Sequence, residues 1–432
     1  MNELATHIGR LSGSLLKYLV AAILIFIPLY PKFPSFNVSG TYVAIRAEDF
    51  LIGISFIVFC IHIVFAKSKP KLPLMLPVVT FFIVGLVSLY SANFVTHSVS
   101  PLISLLHLFR RFEYICVFYL VYFVAHSNLL NRRFLMQLFL LPPLGVFLFG
   151  LGQLYLNFPV ISTMNEEFSK GVALTMRPGV QLASTFSGHY DLAIYLAMIL
   201  VVLISWFCVV TNNKARVVTL VSFVLLLWLF VQAGSRIGYF GLTLAALLTP
   251  LLHKKPKLSL IFGGLVVASV ALSPNLTARI FNLLKVVELK LESSIIRPIY
   301  AQEVARPIQQ DRSTSIRFDV EWPRAMRAFY KNPFLGTGYS SISLATDNDY
   351  LRALGEVGLL GLIAFLSLLV ALARGVIMRI NSKNKLDAVI SRSAVGIIVV
   401  MCVSALFLDV FAASKIAIIF WSYLGLAFAS AS

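Results

Sequence analysis

Apolar stretches of about 20 residues recur along almost the whole chain, and each is long enough to cross the hydrocarbon core of a bilayer as a helix. Hydrocarbon cannot hydrate backbone N–H and C=O groups, so these stretches must satisfy their own hydrogen bonds by forming helices. The 432 residues are 59% hydrophobic and only 12% charged, against about 25% charged in a soluble domain. The sequence therefore predicts an all-α polytopic membrane protein and excludes a soluble globular domain.

The apolar stretches predict twelve transmembrane helices within one integral membrane domain, residues 1–432. The spans are expected at residues 14–30, 48–66, 73–92, 101–127, 134–156, 190–211, 216–234, 236–252, 258–273, 351–373, 389–410 and 414–431. The first apolar run has no small-residue cleavage site after it, so it is expected to be a span rather than a cleaved signal.

The segments between the predicted spans alternate between lysine- and arginine-rich connections and connections with little net charge. Cytoplasmic connections carry the excess of Lys and Arg in membrane proteins. This pattern accounts for the net charge of +18 without a nucleic-acid partner. It predicts that both termini are cytoplasmic and that the loops after the odd-numbered spans are extracytoplasmic.

The four cysteines lie in apolar runs, and their spacing matches neither a disulfide framework nor a metal site. We therefore expect reduced cysteines buried among apolar side chains. They are Cys60, Cys116, Cys208 and Cys402.

Residues 274–350 form the longest polar segment and separate the ninth predicted span from the tenth. A chain this apolar is expected to gather ionisable residues in one extracytoplasmic loop for catalysis or ligand binding. Helical spacing of apolar residues predicts an amphipathic helix on the membrane surface over residues 280–291. A second short helix is expected to start at Pro323, because proline suits the first turn. Its apolar side would consist of Trp322, Met326, Phe329 and Tyr330.

Asp347 and Asp349 precede the tenth span and have two interpretations. Acidic residues cap helix N-termini and favour the positive end of the helix dipole. A carboxylate at the membrane edge could instead act as a general base. The run Asp347-Asn-Asp349 also matches, weakly, the Asp-x-Asp that binds metal in many sugar transferases, but nucleotide sugars are not expected outside the cell. Further along this span, Gly355, Gly358 and Gly361 are expected to permit close helix packing.

Arginines at the membrane edge and inside a span are candidate binding residues. Arg236 follows a long apolar helix on the predicted outer side, where it could snorkel to the interface or bind a ligand. Arg110 and Arg111 lie well inside the fourth span with Glu113. They could form an internal ion pair that fixes helix packing, or line a pathway for an anionic head group.

Arg317 lies in the long charged loop, where a solvated arginine is the usual explanation, although arginine is also the side chain best shaped to hold phosphate with two N–H groups. Arg177 and His189 come at the end of the first long outer loop, 157–190. These two residues fit a role at the rim of a site as well as a catalytic role.

Four motifs in order give the chain a resemblance to the O-antigen ligase and O-antigen polymerase superfamily of bacteria. They are Gly-Ser-Arg236, Ser313-x-x-x-Arg317-x-x-x-x-Trp322, Pro333-Phe-Leu-Gly-Thr-Gly338, and Asp347-Asn-x-Tyr-Leu-x-x-Leu-x-Glu-x-Gly-Leu-Leu-Gly361. The twelve-span layout and the segment 177–195 are also similar to this superfamily, so the resemblance covers nearly the whole chain.

The resemblance implies a C-type glycosyltransferase fold in the bacterial cytoplasmic membrane, with a catalytic cavity on its extracytoplasmic side. The donor would be an oligosaccharide on undecaprenyl pyrophosphate. The acceptor would be another lipid-linked repeat in the polymerase branch and the lipid A core in the ligase branch. The family uses no nucleotide sugar, the ligase branch needs no metal, and no cofactor is expected.

The resemblance also assigns roles to residues. Arg236 and Arg317 stand at the arginine positions of the family and would stabilise the charge of the leaving pyrophosphate. Asp347 stands where the ligase branch has a histidine, which favours a polymerase, and it would be the base for the acceptor hydroxyl. Asp349 is the second candidate for the base. Residues expected to line the substrate cavity are Arg110, Arg111, Arg177 and His189.

Two other functions fit a chain of this kind. A secondary transporter, including a flippase for lipid-linked oligosaccharides, also commonly has twelve spans, but transporters often consist of two similar halves and no duplication is visible here. A peptidoglycan glycosyltransferase would polymerise a different lipid-linked sugar, and its signature residues are not apparent.

Overall fold

A computed structural model describes residues 2–31, 33–38, 44–66, 71–161, 173–174, 181–272, 316–342 and 345–430. These residues are mostly α-helical and include two small antiparallel pairs of strands, which confirms the predicted all-α class. The first helices are α1 (Asn2–Leu29), α2 (Ala47–Phe65), α3 (Met75–Phe94), α4 (Pro101–His126), α5 (Arg132–Leu140), α6 (Pro142–Tyr155) and α7 (His189–Val209). The others are α8 (Asn213–Ala233), α9 (Arg236–Leu252), α10 (Pro256–Ser269), α11 (Trp322–Lys331), α12 (Asp349–Ile377), α13 (Lys385–Ser404) and α14 (Ser414–Ala429).

The short strands lie in connections between helices. Strand β1 (Pro34–Asn37) pairs with β2 (Ala44–Arg46), and β3 (Val160–Ile161) pairs with β4 (Ala173–Leu174). A 3₁₀ turn, Val270–Leu272, follows α10, and a π-helical turn, Arg317–Glu321, leads into α11.

Eight helical segments of the described chain are long and apolar enough to cross a membrane, which confirms a multi-pass membrane protein. They are α1, α2, α3, α5 together with α6, α7, α8, α12 and α13. The other four predicted spans coincide with α4, which carries three charged residues in mid-helix, and with the shorter apolar helices α9, α10 and α14. Every predicted span thus has a helix, while the count of twelve crossings remains a prediction.

The predicted spans and the observed helices differ most at the N-terminus, where α1 begins at Asn2 instead of residue 14. The fifth span is broken into α5 and α6 at Pro142 and Pro143, because proline lacks the N–H that would continue the helix. The eleventh span ends at Ser404 rather than 410, which leaves residues 405–413 as a connection at the end of the bundle that the charge pattern predicts to be extracytoplasmic, here called the predicted outer end.

Two helices form the centre of the packing. Along α7 every residue from Leu192 to Ser205 is buried, and α7 packs against α8, α9 and α13. Helix α14 packs along α4, so closely that a Cβ added at Gly425 would collide with the carbonyl oxygen of Phe118. Four of the predicted site residues lie at or next to the starts of α7, α9 and α12, at the predicted outer end: His189, Arg236, Asp347 and Asp349.

Helix α12 is broken at Gly358, whose φ of 72° and ψ of −170° are not helical. A loop, residues 332–338, takes up the backbone groups that the break leaves without helical partners. Thr337 and Gly338 donate N–H groups to the carbonyl oxygens of Gly355 and Glu356 at 3.1 and 2.7 Å. On the other side of the break, the N–H of Leu359 donates to the carbonyl oxygen of Pro333 at 2.9 Å. A break in a membrane helix is tolerated only where protein satisfies the backbone in this way.

The glycine spacing in α12 thus has two explanations. Gly355 permits close packing, as predicted, because a Cβ there would lie 2.8 Å from the carbonyl oxygen of Ala325 in α11. At Gly358 the reason is the left-handed backbone, which favours glycine, together with the close approach of Phe334 and Leu335.

Helix α11 has Pro323 in its first turn, as predicted. It packs on α12 with Ala325 fully buried. The predicted apolar side is wrong at Tyr330, which is 70% exposed. The amphipathic helix predicted over residues 280–291 lies outside the described residues.

Candidate active site

Arg317 and Asp347 form an ion pair at the predicted outer end. The Nε and Nη2 atoms of Arg317 lie 2.9 and 2.7 Å from Oδ2 of Asp347. The arginine side chain is 10% exposed and the aspartate side chain 28% exposed. The fold thus joins the arginine expected to bind pyrophosphate to the carboxylate expected to act as the base, across 30 residues of sequence.

The backbone around Asp347 is held by a second carboxylate, Asp409, which the sequence analysis did not identify. Oxygens of Asp409 accept the N–H groups of Thr346, Asp347 and Asn348 at 2.9, 3.3 and 3.2 Å. Asp347 itself has a φ of 49°, a left-handed conformation that is uncommon outside glycine. Residues in such conformations persist only where surrounding contacts hold them, and they cluster at active sites. Asp409 provides those contacts.

Asp349 has a different environment from Asp347. It is buried at the first turn of α12, and its Oδ2 accepts the N–H of Phe411 at 2.9 Å. The cap of α12 is Asn348, whose side chain accepts the N–H of Leu351 at 2.9 Å. Neither aspartate is therefore the N-cap of α12. Asp349 bonds the connection 405–413 to α12, and Asp347 precedes the helix.

Arg352 extends the cluster by one turn of α12. Its Nη2 lies 3.4 Å from Oδ2 of Asp409, and its Nε donates to Oγ1 of Thr346 at 3.3 Å. The side chain is only 6% exposed. Arg352 therefore neutralises Asp409 and braces the same backbone that Asp409 holds.

Arg111 pairs with α12 rather than with Glu113 of its own helix. Its Nη2 lies 3.4 Å from Oε2 of Glu356, and the guanidinium lies over the ring of Tyr339 at 4.3 Å. Glu356 also accepts the N–H of Ser340 at 3.1 Å. Arg111 thus links α4 to α12 and to Tyr339, which directly follows the loop 332–338 that bonds the backbone at the break in α12.

Arg110 forms an ion pair with Asp49, with Nη2 and Oδ2 3.0 Å apart, and donates to the carbonyl oxygen of Ala44 at 2.9 Å. The internal ion pairs considered for Arg110 and Arg111 are therefore present, although their partners lie in α2 and α12. A role in a substrate pathway remains a prediction for both arginines.

Arg236 and His189 begin two neighbouring parallel helices, α9 and α7. The methyl group of Ala193 lies 3.4 Å from where a Cβ of Gly238 would be, so the two helix starts are level. Tyr190, whose ring lies 3.9 Å from that of His189, interacts with Arg317 through its hydroxyl. The start of α7 therefore connects the Arg236 side of the site to the Arg317–Asp347 pair. Arg177 lies outside the described residues.

Burial and neighbouring charges set the proton affinity of the groups in the outer loop. Burial, helped by the nearby carboxylate of Asp409, raises the pKa of Asp347, while Arg317 opposes this effect. Burial alone would lower the pKa of Arg317, but the carboxylate of Asp347 raises it above its ordinary value. Burial and the charge of Asp347 raise the pKa of Glu321 to about 7. Asp347 is thus a stronger base than a solvated aspartate, and it remains paired with a cation.

A cavity of about 60 Å³ lies among α3, α4, α12 and α14. Its polar lining includes Arg111, Asp349 and Arg352, and the rest of its wall is largely apolar and aromatic. Asp347 and Arg317 are not among its lining residues. Asp349, two residues after Asp347, is the point at which the cavity comes nearest in sequence to the Arg317–Asp347 pair.

Within the described ranges, no group of three or more His, Cys, Asp and Glu side chains is arranged to hold a metal ion. Asp347 and Asp349 have separate partners, Arg317 and the Phe411 N–H, so the two carboxylates do not share a ligand position. The arrangement differs from that of a metal-binding Asp-x-Asp pair, and the expectation of a metal-free site remains a prediction.

Comparison with known proteins gives one family. Residues 221–366 match the family model described as O-antigen ligase. The matched range runs from α8 into α12 and includes Arg236, Arg317, Asp347 and Asp349. No curated protein matches the chain.

Proposed function

Because the chain belongs to the O-antigen ligase and polymerase superfamily, we propose that it transfers an oligosaccharide from undecaprenyl pyrophosphate on the extracytoplasmic face of the bacterial inner membrane. The transfer would polymerise the repeats of O-antigen or another surface polysaccharide. The observation that carries this proposal is the Arg317–Asp347 pair, which puts a base and a cation side by side at the predicted outer end.

Asp347 is suited to take the proton of the acceptor hydroxyl. In the described structure both contacts with Arg317 use Oδ2, which leaves Oδ1 for the acceptor. As the proton passes to Oδ1, the acceptor oxygen attacks the anomeric carbon of the donor and the bond from that carbon to the pyrophosphate oxygen breaks. General bases placed in this way contribute about 10²- to 10⁴-fold to a rate.

The departing pyrophosphate takes the electron pair of the broken bond and needs cations. Arg317 has five N–H donors, of which the bonds to Asp347 use two. The donors that Asp347 and the Tyr190 hydroxyl do not take can hold the pyrophosphate, and Arg236, at the level of the start of α7, is the second cation. Such positioned charges stabilise the transition state most where water is excluded.

The acceptor distinguishes two forms of this function. Asp347 stands where the ligase branch has a histidine, which favours a polymerase that extends one lipid-linked repeat with another. The description of the matching family as O-antigen ligase favours a second candidate, attachment of the glycan to a lipid A core.

The test is a transfer assay with purified protein, EDTA and no nucleotide sugar. The donor is the undecaprenyl-pyrophosphate-linked glycan extracted from the membranes of the host. A ladder of longer lipid-linked glycans on a gel, lost in Arg236→Ala and kept in the exposed-residue control Asp319→Asn, would support the polymerase. Transfer only after lipid A core is added would support the ligase. Absence of transfer under both conditions would contradict the proposed function and favour a transporter.

A further inference from the structure

Three buried polar atoms without hydrogen-bond partners follow Arg317 closely in the chain, at the end of its π-helical turn and in the first turn of α11. They are Oε2 of Glu321, Nε1 of Trp322 and Nη1 of Arg324. Buried polar atoms almost always have partners, and each exception needs an explanation. Nowhere else in the described chain do three such atoms occur within four consecutive residues. Hydrogen bonds to a ligand bound at this turn would account for them.

The three residues are placed by the π-helical turn and the first turn of α11. Glu321 ends the π-helical turn that Arg317 begins, and it is close enough to Asp347, Arg317, Asp409 and Arg324 for their charges to act on it. Glu321 therefore lies near the group that would take the proton of the acceptor, and Trp322 and Arg324 follow it in the chain.

Trp322 is wedged between two aromatic rings. Its ring lies 4.6 Å from the ring of Phe318, edge to face, and 6.0 Å from the ring of Phe407. Phe407 belongs to the same connection as Asp409, which holds the backbone of Asp347. These contacts fix the indole N–H of Trp322 relative to the reactive pair.

The chemistry of the three atoms selects among ligands. An indole N–H and a guanidinium N–H donate, while a carboxylate accepts. A sugar hydroxyl both donates and accepts, so a sugar can satisfy the whole set. A phosphate only accepts, so it would leave the carboxylate oxygen of Glu321 without a donor. The set therefore fits an uncharged, hydroxyl-rich ligand better than it fits pyrophosphate.

We propose that Glu321, Trp322 and Arg324 form the subsite for the acceptor sugar and bind its hydroxyl groups so that one hydroxyl faces Oδ1 of Asp347. This inference rests on the proposed function and adds the residues that recognise the acceptor. The side chains position the acceptor, whereas Asp347 takes its proton.

The experiment separates the two substrates. The lipid-linked donor is held at saturation, and the free repeat oligosaccharide, released from that lipid by mild acid, is titrated as acceptor; where the wild type uses lipid A core, the core is titrated. Glu321→Gln, Trp322→Phe and Arg324→Lys are each expected to raise the acceptor KM about tenfold, the effect of one lost hydrogen bond to a fixed partner. The kcat at saturating acceptor and the donor KM should stay within about threefold of wild type.

Matched controls are Asp319→Asn, an exposed acid in the same π-helical turn, and Arg327→Lys, an exposed base one turn further along α11. Trp322→Phe keeps the aromatic contacts, so it still tests the subsite if another variant fails to fold. If the wild type transfers glycan but the three variants keep its acceptor KM, the proposed subsite is wrong while the proposed function stands. The same holds if the variants raise the donor KM instead of the acceptor KM. If wild type transfers to neither acceptor and also forms no ladder from the lipid-linked repeat, the proposed function fails and this inference fails with it.

Discussion

Two arginine–aspartate pairs of similar length occupy opposite ends of the protein and differ in which partner is exposed. At the predicted cytoplasmic end, Nη1 of Arg132 lies 2.7 and 2.8 Å from the two oxygens of Asp387. That aspartate is 1% exposed and its arginine 25% exposed. At the predicted outer end the order is reversed: the Asp347 side chain is 28% exposed and that of Arg317 is 10% exposed.

The difference matches the roles proposed for the two pairs, a structural tie at Asp387 and a reactive group at Asp347. Asp387 uses both of its oxygens on Arg132 and joins α13 to α5. Asp347 uses one oxygen on Arg317 and has a strained backbone held by Asp409. A buried carboxylate in an ion pair cannot be reached by solvent or by a substrate. An exposed carboxylate that is paired with a buried cation can accept a proton from a bound molecule.

The largest expected effect comes from removing the charge at Asp347. Asp347→Asn keeps the shape but lacks the base, so we expect kcat for transfer per folded molecule to fall about 10²- to 10⁴-fold. Some thermal stability should be lost as well, because the buried Arg317 loses its partner. The measurement is initial-rate glycan transfer alongside an unfolding curve in the same detergent. Asp319→Asn is the control, and full turnover in Asp347→Asn would remove this residue as the base.

The matching change at the other pair should act on stability. Asp387→Asn breaks a pair with a buried carboxylate, which costs about 3–5 kcal/mol in such cases. The lower end applies here because Arg132 is 25% exposed and can be hydrated. Thermal unfolding should show the loss, while transfer per folded molecule stays unchanged. A large loss of transfer with normal stability would contradict the contrast between the two pairs.

A smaller effect is expected at Asp409, which positions Asp347 without contacting substrate. Asp409→Ala removes the acceptor of three backbone N–H groups, and we expect kcat to fall about tenfold, as for a reacting group that is slightly misplaced. The KM values should stay nearly constant. Asp409→Asn keeps one acceptor oxygen and should recover part of the rate; equal losses in both variants would point to the charge of Asp409 instead.

The smallest effect is a shift in pH dependence. Burial raises the pKa of Asp347 and Arg317 lowers it, and the base must be ionised to work, so kcat should fall as the pH drops through this pKa. Arg317→Gln removes the lowering charge, and the acidic limb of the kcat profile should therefore move to higher pH. Arg327→Gln is the matched control. A limb that stays in place would show that the pair does not govern the titration of Asp347.

Sequence alone located most of the fold because the length of an apolar run and the length of a spanning helix are set by the same bilayer. Each predicted span coincides with a helix. The sequence also singles out Arg236, Arg317 and Asp347 as candidate site residues, and their roles remain predictions. The ion pair between Arg317 and Asp347 could not be predicted, since nothing in the spacing of two loop residues specifies their contact.

Asp409 was missed for a physical reason. It binds backbone N–H groups, which every residue except proline has, so its partners leave no trace in the sequence. A charged residue inside the predicted span 389–410 was the one available signal. Glu321 was missed because a charged residue in a polar loop is usually solvated.

The hydrogen bonds between α12 and residues 332–338 bear on how a substrate could reach the site. Four backbone hydrogen bonds cross the break, two on each side of Gly358, and each unsatisfied group in hydrocarbon would cost several kcal/mol. Residues 332–338 therefore cannot swing away as a lid. The hydrogen bonds from residues 346–348 to Asp409 also restrain the chain just before α12. Opening of this segment is therefore not a route by which the proposed lipid-linked substrate would reach Asp347.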